Sequence, residues 1–151
     1  MSWRWLLVLA VTSCILFSVV NTDPEGGDQM LQAGVELLEE GAKFSFSLKN
    51  IYDVPSSLLF SSGQQFELVV TNEGGAEVYR FSEGRFFTMA LIFEELRPGE
   101  SLSWIHVWDC RDKLGRPAEP GKYRAEITIL AQVRSGEMDA EEFSTVVEFE
   151  L

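Results

Sequence analysis

Apolar and polar residues alternate along most of the chain from residue 43 onward, which is the period of half-buried β-strands. Phe44, Phe46 and Leu48 alternate with Ser45 and Ser47, and the same period returns further along the chain. The later sets that this period places on one face are Phe66, Leu68 and Val70; Leu102, Trp104, His106 and Trp108; Tyr123, Ala125, Ile127 and Ile129; and Phe143, Thr145, Val147 and Phe149. We expect each set to face the core of a β-rich domain.

Turn residues interrupt the alternation roughly every 8 to 14 residues. The NEGG sequence at residues 72–75 suits a hairpin, and Pro98-Gly99 suits a type II turn, since Gly takes the positive φ of its third position. Tyr123 follows Gly121 as in the tyrosine corner of Ig domains. No strand–helix alternation is visible. The pattern therefore predicts an all-β fold, an Ig-like antiparallel β-sandwich of about seven to nine strands.

The segment before residue 43 fits two kinds of element. Residues 29–40 (QMLQAGVELLEE) match helical and strand periods alike, while Gly34 weakens a helix. We predict a first strand that begins at about Gly34.

The N-terminus is an apolar leader. Residues 1–22 (MSWRWLLVLAVTSCILFSVVNT) contain Arg4 and no acidic residue. Their apolar run, residues 5–20, is long for the core of a signal peptide and short for a membrane span. We interpret residues 1–22 as a leader helix that is either a signal peptide or a membrane anchor, with a membrane tether through residues 5–20. Residues 23–33 then form a linker and residues 34–151 the domain, in an extracytoplasmic location, secreted or membrane-anchored.

Cys14 is a second reason to consider attachment to a membrane. Val11-Thr12-Ser13 before it is similar to a bacterial lipobox, which makes Cys14 a candidate lipidation site. The apolar residues that follow Cys14 argue against lipidation, because a lipobox cysteine normally ends the apolar run.

The net charge of the chain narrows the class of binding partner that we expect. The chain has 24 acidic and 12 basic residues and a net charge of -12. An acidic surface disfavours nucleic acid and anionic membrane surfaces as partners, and it leaves a protein partner. The same acidity also serves to keep a β-rich domain soluble.

Candidate catalytic and metal-binding residues are few. His106 is the single histidine, and a nucleophilic site would need it to meet a Ser or Cys and an orienting acid. Asp109 and Asp112 could contribute to a Ca²⁺ site, although such residues more often cap turns. Cys110 lies between Asp109, which raises a thiol pKa, and Arg111, which lowers it. We therefore predict a protein that is not an enzyme, with no catalytic, cofactor or metal site.

One segment has the composition of a protein-binding site. Arg85, Phe86 and Phe87 combine a cation with aromatic rings, as interface hot spots do. The alternative is that Phe87, Met89 and Leu91 begin a core strand and that Arg85 is solvated, which the apolar alternation favours.

Several of these motifs together resemble the BsuPI domain, a family named after an intracellular proteinase inhibitor of bacilli. The residues that carry the resemblance are Asn50, residues 59–67 (LFSSGQQFE), residues 78–82 (VYRFS), residues 85–87 (RFF), Leu96, residues 98–100 (PGE) and Trp108. Their order and spacing cover about residues 44–108 and, less strictly, continue to Tyr123. The family usually has Trp-Arg-Trp-Ser at residues 79–82, Tyr-Asp at residues 66–67 and often Gln at the position of Met89.

The resemblance implies an Ig-like fold and a proteinase inhibitor that acts by protein–protein contact, with a serine protease as the candidate partner. The leader is a departure, because the namesake acts inside the cell. The alternative function is an extracytoplasmic Ig-like binding or structural module of the cell envelope without inhibitory activity.

Overall fold

The computed structural model describes residues 28–151, which form ten strands and one short 3-10 helix. All strand pairs are antiparallel. The strands are β1 Leu31–Leu38, β2 Gly41–Lys49, β3 Ser56–Phe60, β4 Phe66–Asn72, β5 Glu77–Arg80, β6 Ile92–Leu96, β7 Ser101–Trp108, β8 Lys122–Ile129, β9 Ala131–Ser135 and β10 Ser144–Glu150. The 3-10 helix spans Ala140–Glu142.

The strands form three sheets. The first has the order β1-β2-β7, the second β10-β8-β4-β5, and the small third sheet β6-β3-β9. Side chains of the first two sheets meet between them: the Phe44 and Phe149 rings lie 5.6 Å apart, and the Phe46 and Phe66 rings 4.9 Å apart. The principal core therefore lies between these two sheets.

The two-residue period decides which side chains enter this core. On β2, Phe44, Phe46 and Leu48 are buried, as the alternation predicts. The sets predicted on β4 and β8 are buried as well, and β7 alternates between exposed and inward-facing positions. The Pro98-Gly99 turn is confirmed by the φ of Gly99, 81°, and by a 3.0 Å hydrogen bond from the Glu100 N–H to the Arg97 carbonyl.

Asn50 joins the β2–β3 connection to the turn between β6 and β7. Its fully buried side-chain amide donates to the carbonyls of Val54 (2.8 Å) and Leu96 (2.9 Å). Its side-chain oxygen accepts from the Tyr52 N–H at 3.0 Å. The Asn50 carbonyl also accepts from the Gly99 N–H at 2.8 Å. Because both polar atoms of this buried side chain have partners, the side chain stabilises the core instead of weakening it.

Tyr123 forms the bond that a tyrosine corner requires. Its hydroxyl donates to the carbonyl of Glu119, four residues earlier in the chain. Burial raises the pKa of Tyr123, and the charge of Glu119 adds to the effect, so the hydroxyl keeps its proton and remains a donor.

Three expectations need correction. The described residues contain ten strands, not seven to nine, because the chain builds the third sheet from short segments that flank the main strands. The first strand begins at Leu31, three residues before Gly34, since Leu31 pairs with Leu48 and is buried. Phe87, Met89 and Leu91 do not begin a core strand, because β6 starts only at Ile92.

The predicted leader helix of residues 1–22 lies outside the described residues, and so does Cys14. Within residues 28–151 the structure contains no helix with the length and apolar character that a membrane span requires.

Candidate functional site

The candidate site lies between the edge strands of the first two sheets. Strands β7 and β5 are edge strands of these sheets, and aromatic rings fill the gap between them. Tyr79 stacks on His106 at 5.8 Å, Phe81 meets the His106 ring edge-on at 5.0 Å, and Phe66 stacks on Phe81 at 4.3 Å. We call these four residues, Phe66, Tyr79, Phe81 and His106, the aromatic base.

An apolar loop projects from the aromatic base. Residues 82–91, called the exposed loop, connect β5 to β6. Phe86 is fully exposed and Met89 is 96% exposed, while Leu91 is 64% exposed. Phe93, on the adjoining strand β6, is 70% exposed. Soluble proteins seldom leave contiguous large apolar side chains in water without a use for them, so this segment is a candidate interaction site.

A close contact holds the middle of the exposed loop against the body. The backbone N–H of Gly63 donates a 2.8 Å hydrogen bond to the carbonyl of Thr88. A side chain at position 63 would force Thr88 to move, because its Cβ would lie 2.5 Å from the Thr88 Oγ1. Glycine at this position therefore permits the approach of the loop through close packing.

Charged and aromatic contacts hold the beginning of the loop. The Glu67 carboxylate accepts from the Ser82 N–H at 3.1 Å. The Arg85 guanidinium lies 4.6 Å above the Phe81 ring in a cation–π contact, and the Phe87 ring lies 5.8 Å from Phe81. The loop is thus fixed at its first residue, at Arg85 and at Phe87, between which Phe86 projects into solvent.

His106 is part of this support. Its Nε2 lies 2.8 Å from the Tyr79 hydroxyl, so its hydrogen-bond partner is a tyrosine in the aromatic base. Burial lowers the pKa of His106, and the positive charge of Arg85 lowers it further. A neutral imidazole therefore lies against the aromatic rings near neutral pH.

A network of ion pairs includes Glu83 of the exposed loop. The Glu77 carboxylate bonds Arg80 at 2.8 Å and Lys113 at 2.7 Å, and Lys113 also reaches Glu83 at 3.1 Å. The hydrogen bonds from Arg80 and Lys113 lower the pKa of Glu77 to about 2. These groups are partly or fully exposed to solvent, so the ion pairs add little to the stability of the fold.

The other residues considered for chemistry have structural partners. Asp112 accepts from the Leu114 and Arg116 N–H groups at 2.9 Å each, which is turn capping. Asp109 accepts from the Arg111 N–H at 3.1 Å. Within residues 28–151, no three His, Cys, Asp or Glu side chains come close enough to share a metal ion.

Cys110 has little thiolate character. Burial raises the pKa of its thiol, and the charge of Asp109 raises it further. The residue has φ of 54°, which is uncommon outside glycine. Thiol reactivity depends on the thiolate, so this environment disfavours a reactive cysteine.

The exposed loop contains Arg85, Phe86 and Phe87, the segment singled out from the sequence, but the three side chains have different surroundings. Phe86 points into water, whereas Arg85 and Phe87 pack on Phe81. Met89 and the supporting residues Gly63, Glu67 and Thr88 were not predicted as site residues. The SSGQQFE motif carries the family resemblance, but no local signal in it indicates that Gly63 meets a residue 25 positions further along.

A comparison with models of known protein families found a match. The model of BsuPI, described as intracellular proteinase inhibitor, matches residues 30–134, which is more than half of the chain. The matched region includes all of the exposed loop and its supports. A search of the curated proteins found no match.

This finding contradicts one prediction made from the N-terminus. The extracytoplasmic location, secreted or membrane-anchored, was inferred from the apolar leader of residues 1–22 and the lipobox-like segment before Cys14. The matching family is described as an intracellular inhibitor, so that location is wrong by this finding. An apolar run of this length is a weak indicator, because it is intermediate between a signal peptide and a membrane span.

Proposed function

Because the chain belongs to the BsuPI family of the intracellular proteinase inhibitor, we propose that it inhibits a protease by direct contact, through the exposed loop of residues 82–91. The family is one of inhibitors, which are not catalysts. The observation that carries the proposal is the pair Phe86 and Met89, both exposed on a loop whose backbone is fastened to the body.

The exposed side chains suit a protease cleft. Protease active sites bind an extended segment through backbone hydrogen bonds and take alternate side chains into pockets. Between Arg85 and Leu91 the loop makes no turn or bend, so it can lie along such a cleft. Aromatic and methionine side chains are enriched at the centres of interfaces, because they bury large apolar areas.

The contacts that hold the exposed loop explain how it could inhibit a protease instead of being cleaved as a flexible substrate. The Gly63–Thr88 hydrogen bond, the Glu67–Ser82 hydrogen bond and the Arg85–Phe81 contact fix the loop before binding. A loop that is already ordered loses less conformational entropy on association, and its affinity rises accordingly. A serine protease is the proposed partner.

The test is inhibition of subtilisin-type and chymotrypsin-type serine proteases by the full chain, measured with a peptide substrate. We expect inhibition by the wild type and a loss of about 100-fold or more in the F86A/M89A double variant, since both side chains act as anchors. Both residues are exposed, so the variant should fold normally.

The matched control is Ile105→Ala. Ile105 is 69% exposed and apolar, but it lies at an outward-facing position of β7 and is not part of the loop. Its variant should inhibit like the wild type. If the wild type inhibits no protease at micromolar excess, or if F86A/M89A inhibits equally well, the proposal is wrong.

We further propose that the two main sheets form an Ig-like sandwich. The orders β1-β2-β7 and β10-β8-β4-β5 correspond to the two layers of such a fold, with short β5 as the added edge strand. The Tyr123–Glu119 hydrogen bond supports the same assignment. An experimental structure would test it through the orientation of the two sheets.

A binding module without inhibitory activity is the second candidate. Its supporting observation is the outward face of β7, where Ile105 and Val107 are exposed beside Ser45 and Lys43 of β2. Under this alternative, partner binding would be lost in an I105D/V107D variant and kept in F86A/M89A. Strong inhibition by the wild type that depends on the exposed loop would exclude it.

A further inference from the structure

The exposed loop contains two side chains able to enter a deep pocket, and they are not equivalent. Phe87 is excluded because its ring packs on Phe81. Thr88 is excluded because its carbonyl is occupied by the Gly63 N–H. Leu91 is less exposed, at 64%, which leaves Phe86 and Met89, the two side chains that the rest of residues 28–151 leaves almost entirely in solvent.

The backbone conformation next to Phe86 differs from the backbone conformation next to Met89. Phe86 follows a turn in which Gly84 has φ of 71° and the Arg85 N–H donates to the Ser82 carbonyl at 3.2 Å. Met89 has residues on both sides that make no turn or bend. A serine protease binds its substrate as an extended segment that continues on both sides of the pocket residue. The turn ends at Gly84, two residues before Phe86, so only Met89 has at least two such residues on each side.

The hydrogen bonds of the loop support the same residue. The Thr88 carbonyl accepts from the Gly63 N–H, whereas no backbone hydrogen bond within residues 28–151 uses the Met89 carbonyl. The Met89 carbonyl is therefore available to the backbone donors that a serine protease places beside its primary pocket.

We infer that Met89 enters the primary specificity pocket of the target protease and that Phe86 occupies a second apolar subsite, about 10 Å away along the cleft. This inference rests on the proposed function. It specifies the class of target, a serine protease whose primary pocket is apolar. A protease with an acidic pocket, such as trypsin, gains no partner from a thioether side chain.

A change of specificity tests this assignment. The full-length chain and Met89→Lys are compared as inhibitors of chymotrypsin, which has an apolar pocket, and of trypsin. We expect the wild type to prefer chymotrypsin, and we expect M89K to lose about 100-fold toward chymotrypsin while gaining a similar factor toward trypsin. Met89→Gln, which keeps the size and removes the apolar character, should weaken chymotrypsin inhibition by about tenfold.

Phe86→Lys is the matched control, because it places the same charge three residues earlier on an equally exposed position. It should weaken inhibition of chymotrypsin without any gain toward trypsin. Gain of trypsin inhibition in F86K but not in M89K would overturn the assignment. The assignment is also overturned if neither lysine variant changes the preference while the wild type still inhibits through the loop. A wild type that inhibits no protease contradicts the proposed function itself.

Discussion

The backbone N–H of Gly63 donates a 2.8 Å hydrogen bond to the carbonyl of Thr88, joining the β3–β4 connection to the exposed loop. Two loops that are distant in sequence therefore share one contact. The distance of this contact depends on the absence of a side chain at position 63, because a Cβ there would meet Thr88 Oγ1 at 2.5 Å. The position of Met89, the next residue, depends on the same contact.

Gly63→Ala should displace the loop and weaken inhibition about tenfold, because the loop would lose its fixed position before binding. The measurement is inhibition of chymotrypsin, with circular dichroism to verify the fold.

The G63A/T88A double variant provides the control. It removes Oγ1, and the remaining neighbours of the new Cβ, the Thr88 N and Cβ atoms, lie at 3.4 and 3.7 Å, which is ordinary contact. Inhibition should therefore recover in G63A/T88A. Equal loss in the single and double variants would show that the clash with Thr88 is not the cause.

Oxidation should act selectively on Met89. Met30 and Met138 are 2% and 5% exposed, so among the methionines of residues 28–151 only Met89 is accessible to hydrogen peroxide. The sulfoxide is polar and does not suit an apolar pocket, so we expect inhibition to fall by roughly tenfold. Peptide mass spectrometry should locate the added oxygen.

Met89→Leu is the control for oxidation, since it keeps the apolar anchor and removes the sulfur. Peroxide should leave its inhibition unchanged. Equal sensitivity of M89L to peroxide would place the damage elsewhere.

His106 should make stability fall as the pH is lowered. Its pKa lies below the ordinary value of 6.5, chiefly because the ring is buried and secondarily because of Arg85. The folded state thus binds the proton more weakly than the unfolded state. The contribution to the free energy of unfolding is complete above pH 6.5 and is lost as the pH falls below that value toward the lowered pKa.

The measurement is urea unfolding of the wild type and His106→Gln at about pH 7.5 and about pH 5.5, on either side of the ordinary histidine pKa. The wild type should lose more stability between the two values than the variant, which has no imidazole to protonate. Parallel losses would contradict this role of His106.

Replacing Asn50 should destabilise the whole domain. Asn50→Ala leaves the buried carbonyl of Leu96 and that of Val54 without their donors, so we expect a loss of about 2 to 4 kcal/mol in the free energy of unfolding. Denaturant titration measures it. Asn50→Asp should be similarly harmful, because a carboxylate cannot donate to these carbonyls.

Asn72→Ala is the comparison for Asn50. Asn72 caps the β4–β5 hairpin by accepting from the Ala76 N–H at 2.9 Å in a solvent-exposed turn. Its loss should cost less than about 1 kcal/mol, because water can replace the bond. If N72A is as destabilising as N50A, burial is not what makes Asn50 important.

Local sequence patterns were sufficient to predict most of the strands. The alternation at Phe44, Phe46 and Leu48 and the Pro98-Gly99 turn were both confirmed, since each depends on a few consecutive residues and their own backbone preferences. The same rule failed at Phe87, Met89 and Leu91. Their alternation is that of a strand, yet no neighbouring strand pairs with them.

Side-chain period and turn chemistry are local properties, so the class of fold, the main inward-facing residues and the family resemblance follow from the sequence. The exposure of Phe86 and Met89, and the support of their loop by Gly63, Glu67 and Phe81, become visible only in the folded structure. Exposure and support depend on which distant segments of the chain meet in the fold. The hydrophobicity of Met89 does not distinguish a core position from a binding loop, because the side chain is equally apolar in both.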